Sequence, residues 1–146
     1  MRVVIDTNEL LRMASAWNSP VSPLLNAWRN GRFELALSDA MLDEFEAVAD
    51  RSHTRRFLSP QNARAFVAFA RDWAMFVSLS TDIPVPRCRD SKDDVVIATA
   101  IAARADVIVT NDSDLLDEAA LVVHLRDEWN IRVMQAGEFM TMLGAV

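Results

Sequence analysis

The chain has 146 residues, which fits one domain, residues 1–146, around one core. Hydrophobic residues make up 51% and charged residues 25%, a balance that excludes a disordered chain. The net charge of −6 argues weakly against a nucleic-acid partner, but its distribution says more.

Residues 51–92 hold eight basic and three acidic side chains, a net +5, while the remainder holds seven basic and eighteen acidic, a net −11. A basic middle attracts phosphates and an acidic remainder attracts cations. For any single arginine a solvated helix face is the better explanation. No apolar run approaches the roughly 18 residues that span a bilayer, so no membrane partner is expected. The only cysteine, Cys88, excludes an internal disulfide and a cysteine-rich zinc site, and fits a reducing cytoplasm.

In chain order, "VVIDTNEL" opens the pattern: Val3, Val4 and Ile5 run straight into Asp6. Asp6 interrupts the apolar run at once, so the run reads as a buried strand and not as a secretory signal. Helical patterns follow at residues 8–17 and 23–30, the second ended by Gly31. A strand is predicted at 33–37 and, after a Ser38 cap, a helix at 39–50. Ser59 and Pro60 open a helix over 60–74, whose Phe66, Phe69 and Trp73 fall three and four apart and read as a core-facing stripe. Strands at 76–79, 107–110 and 131–134 complete the set, with helices at 94–104 and 138–143 and unbounded helical character over 115–129. Strands alternating with helices predict an α/β domain, a mostly parallel sheet with helices on both faces.

In a parallel sheet the carboxyl ends of the strands share one edge, where ligands bind. Asp6 closes the first strand and Asp112 follows the fourth. The helices that begin with Asp94 and carry Glu44 start from the same edge. Each acid has a bland role available. Asp6 suits a helix cap, Asp112 an Asx-turn, and Asp94 the end of a capping-box spacing that begins at Ser91. Four at one edge are harder to dismiss, because clustered like charges repel unless a cation joins them. On the 39–50 helix the apolar stripe centres near Phe45. Periodicity there excludes Asp43 but leaves Glu44 and Glu46 equal.

Carboxylates without His or Cys suit hard cations such as Mg²⁺ or Mn²⁺. The two histidines, His53 and His124, fall outside the rim segments. No glycine-rich phosphate cradle or nucleophile elbow is present. Metal-assisted phosphoryl chemistry remains.

The sequence resembles the PIN-domain ribonucleases, and within them the bacterial toxin branch that includes the VapC toxins. "VVIDTNEL" looks like that family's opening strand and first acid, and "LALSDAMLDEF" like its second strand and glutamate helix, which selects Glu44. "RDSKDDVVIATA" looks like its third acidic motif, with Asp94 as the acid, and "ADVIVTNDSDLL" like its fourth, with Asp112. The resemblance implies a single PIN-like α/β/α sandwich with sheet order 3-2-1-4-5. Catalytic and metal-holding roles fall on Asp6, Glu44, Asp94 and Asp112, with Asn8, Thr110 and Asp114 as auxiliaries. It also implies Mg²⁺- or Mn²⁺-dependent cleavage of single-stranded RNA that leaves 5′-phosphate ends, a homodimer, and a cognate antitoxin. Within the basic middle, Arg51, Arg55, Arg56, Arg89 and Lys92 are the candidate RNA contacts.

Two departures stand out: Glu9 occupies a place where relatives usually carry an aliphatic residue, and residues 117–130 are longer than expected. A haloacid-dehalogenase-like phosphatase needs a second aspartate at the position of Asn8, and a receiver domain needs an acid and a lysine that are missing. A catalytically silent PIN-like binding module is the other alternative.

Overall fold

A computed structural model describes residues 1–79, 86 and 91–144. The first half runs β1 (Arg2–Ile5), α1 (Thr7–Ser15), α2 (Pro23–Arg29), β2 (Glu34–Ser38), α3 (Asp39–Ala49), a 3-10 turn (Thr54–Arg56), α4 (Pro60–Trp73) and β3 (Met75–Val77). The second half runs α5 (Ser91–Ala103), β4 (Val107–Val109), α6 (Ser113–Leu116), α7 (Ala119–Trp129), β5 (Arg132–Met134) and α8 (Ala136–Met142).

The strands form one sheet in the order β3-β2-β1-β4-β5, and every neighbouring pair is parallel. Val3, Val4 and Ile5 of β1 are all fully buried, as are Val107, Ile108 and Val109 of β4. Successive strand side chains point to opposite faces, so both faces of the sheet centre are covered.

Local sequence explains the element ends. Ser38 and Ser59 cap α3 and α4 by accepting the backbone N–H of Met41 and Asn62, at 3.3 and 3.1 Å. Gly31, at φ +71°, takes the left-handed step after α2. The region expected as one vague helix over 115–129 is two, α6 and α7. Asn130, at φ 55°, ends the second.

Phe66 of α4 is fully buried and stacks on Phe45 of α3, with centroids 4.9 Å apart. Phe69 meets Trp28 edge-on at 4.9 Å. The expected stripe does not continue to Trp73, which is 70% exposed. Trp73 is the last residue of its helix and has run past the core that Phe66 reaches.

Candidate active site

β1 and β4 are neighbours, which brings the residues after them together. The backbone N–H of Asp6 donates to Val109 O at 3.0 Å. Asp6 is buried and caps α1, its Oδ1 accepting the Glu9 N–H at 2.9 Å. Its Oδ2 accepts the hydroxyl of Thr110, and the Thr110 Oγ1 accepts the backbone N–H of Asp112 at 3.0 Å. Asp112 then caps α6 through the Asp114 N–H at 2.9 Å. Asp6 and Asp112 are thus both caps and near neighbours joined through one threonine.

These two acids line a cavity of about 200 Å³ together with Glu44 and Asp93. Thr7, Asn8, Arg51 and His53 complete its polar wall. Glu44 comes from α3 and faces this cavity. Glu46 faces the groove between α3 and α4 instead and pairs with Arg71 at 3.6 Å, which resolves the ambiguity that periodicity left.

The acid of α5 at this cavity is Asp93, where the sequence pointed to Asp94. Asp93 is buried, whereas Asp94 is only half-buried. Asp93 lies three, four and seven residues before the buried Val96, Ile97 and Ala100, on the face that α5 turns to the core. Asp94 sits about 100° further round. His53 was expected away from the rim segments. It follows α3 and reaches the same cavity wall.

The auxiliaries divide. Thr110 orients Asp6, Asn8 lines the cavity, and Asp114 contributes its backbone N–H while its side chain is not among the cavity's lining. Of the basic candidates, Arg51 lines the cavity, Arg55 pairs with Asp50 beside the other groove, and Arg56 is exposed on the 3-10 turn. Arg89 lies outside the described residues, as does the side chain of Lys92.

Burial pushes the carboxyl of Asp6 above the usual aspartate range. The Thr110 hydroxyl and the Glu9 N–H oppose that rise, and the charge of Asp112 adds to it. Burial also raises Glu9, against the opposing charge of Arg12.

The donor set fits a hard divalent cation: four carboxylates from four different segments, with no thiolate. Thr7 adds a second sign. Its Oγ1 is buried against this cavity without a hydrogen-bond partner among the described residues. An orphaned hydroxyl costs about 1–3 kcal/mol unless something at the site accepts from it. As placed, no three acids or histidines among the described residues converge into a ready-made cage. Like charges hold one another apart until a cation offsets them.

The PIN-domain family model matches residues 2–114, and the chain belongs to that family. PIN domains are generally nucleases and generally use divalent metals. The match contains all four cavity acids and stops before α7, β5 and α8. No curated protein matches the chain. Among the described residues, no helix is long and apolar enough to cross a membrane.

Proposed function

We propose that the chain is a Mg²⁺- or Mn²⁺-dependent endoribonuclease of single-stranded RNA, with Asp6, Glu44, Asp93 and Asp112 as the ion-holding residues. Family membership supports the nuclease class. The observation that carries the site is the meeting of those four carboxylates at one cavity on the carboxyl edge of a parallel sheet. A divalent ion held by these residues would lower the pKa of a water so that hydroxide is available near neutral pH, and would offer positive charge to the leaving oxygen.

The protein's own groups prepare the place. Thr110 fixes the direction of the Asp6 carboxylate by donating to Oδ2, and the Glu9 N–H holds Oδ1. The Thr7 hydroxyl lies buried against the same wall, without a hydrogen-bond partner among the described residues. Asn8 offers a neutral amide where a phosphatase of the haloacid-dehalogenase type needs an acid, so it cannot protonate a leaving group.

The reading extends, on the likeness of the four acidic motifs to the VapC branch, to a cytoplasmic toxin of a type II toxin–antitoxin pair. That toxin is a homodimer held in check by a cognate antitoxin. A small antitoxin-like reading frame beside the gene is the expected genomic sign, and its absence counts against the toxin role alone.

The nuclease reading is tested with purified protein and a labelled single-stranded RNA. Cleavage is expected with Mn²⁺ and is expected to stop with EDTA. Cleavage undiminished in excess EDTA removes the metal mechanism. Binding of RNA without cleavage in any divalent cation favours the silent module.

A further inference from the structure

Glu9 is the buried charge that the proposed chemistry leaves unused. Its side chain is only 7% exposed, yet it ends a turn of α1 beside Asp6. A buried carboxylate costs desolvation that an aliphatic side chain of similar size avoids. What Glu9 gains is two partners. Arg12, one turn further along α1, pairs with Oε1, and Asn111 Nδ2 donates to the same oxygen at 2.8 Å. The guanidinium it holds is itself 63% exposed.

Glu9, Arg12 and Asn111 line a second cavity of about 310 Å³, and that cavity shares Asp6, Asn8 and Asp112 with the four-acid cavity. The two therefore adjoin across the acids. Arg12 lines the one cavity and Arg51 the other. Among the described residues Arg51 makes no ion pair.

The geometry points to Arg12, steered by Glu9, as the anchor for a backbone phosphate next to the one that reacts, with Arg51 anchoring the neighbour on the opposite side. This rests on the nuclease reading for the identity of the strand, an RNA. A single strand laid over the acids places its reacting phosphate between two cations, which offsets repulsion between phosphates and carboxylates. Glu9 aims Arg12 by holding its Nη1, and the rest of the largely exposed guanidinium is left for the phosphate.

The test uses a fluorescein-labelled 12-nucleotide RNA, with binding read by anisotropy in EDTA and cleavage read in Mn²⁺. Arg12→Gln is expected to weaken binding about tenfold and to flatten the salt dependence by a slope of roughly 0.7. In cleavage it raises KM and leaves kcat within about threefold, the mark of an anchor rather than of a group acting on the reacting atoms. Arg12→Lys keeps the charge and restores the salt slope. A neutral methylphosphonate at the linkage on the Arg12 side of the cleaved bond has the same effect on the parent protein and no added effect on Arg12→Gln.

Unchanged affinity and salt slope in a folded Arg12→Gln protein overturn the anchor. So does a loss confined to kcat. A parent protein that binds the RNA in EDTA but cuts nothing in Mn²⁺ overturns the nuclease reading instead, and the anchor is then judged on binding alone. A parent protein that neither binds the RNA in EDTA nor cuts it in Mn²⁺ overturns both.

Discussion

Asp6 performs two jobs, and one substitution separates them. As a cap it accepts the Glu9 N–H, and Asn caps about as well as Asp. As an ion ligand it needs its charge. Asp6→Asn is therefore expected to lower Mn²⁺-dependent cleavage at least about 100-fold, more than the loss of an outer partner of a metal ligand usually costs. The metal-free protein is expected to lose no stability. The sign of its pH dependence follows from the raised carboxyl. The folded protein holds the Asp6 proton more tightly than the unfolded chain, whose value is near 3.8. The stability this group contributes is thus full below that value and is lost as pH rises through the folded one. In metal-free melting curves Asp6→Asn should match the parent in acid and exceed it at pH 7. An equal or lower melting temperature at pH 7 means that the charge of Asp6 is not a burden. Thr7 beside it makes a smaller claim. Thr7→Val is expected to leave metal-free stability unchanged or higher, because the hydroxyl it removes has no hydrogen-bond partner among the described residues.

Helix phase decided most of what the sequence revealed and most of what it hid. On α3 the apolar positions alternate with charges, so Phe45 marked the buried stripe and placed Glu44 and Glu46 on its two flanks. Choosing between them required knowing which neighbour lies on each side, and that is tertiary information. On α5 the run Val95 to Ala103 is apolar nearly all round. Such a helix carries no phase, and the adjacent Asp93 and Asp94 looked alike. The register becomes visible only once Val96, Ile97 and Ala100 are seen buried together with Asp93. Asp93→Asn is accordingly expected to abolish cleavage, and Asp94→Asn to leave it within about threefold. The opposite ranking restores the acid that sequence favoured. His53 was missed for a different reason: it follows a helix end, where no periodicity says which way a side chain goes. The strands were clear because short apolar runs ended at turn signals, although β3 begins at Met75 and not at Phe76. In the α3–α4 layer the aromatic stripe was right at Phe66 and wrong at Trp73. Phe66→Ala should cost about 3–5 kcal/mol in denaturant unfolding, whereas Trp73→Ala should cost under about 1 kcal/mol.

The fold explains why acids so far apart in sequence meet. In an all-parallel sheet every strand ends at the same edge, and β1 with β4 beside it places Asp6 and Asp112 side by side there. Helices α3 and α5 bring Glu44 and Asp93 to that edge because each enters its crossover from it. The charge polarity of the chain follows the same plan, with Arg51 and the basic stretch beginning at the rim of an acidic centre. The proposed chemistry requires one ion in one place. Crystals soaked in Mn²⁺ and measured for its anomalous scattering are expected to show a peak among Asp6, Asp93 and Asp112, with Glu44 bound directly or through water. A peak at Asp94 or elsewhere, or no peak at a Mn²⁺ concentration that supports cleavage, contradicts it.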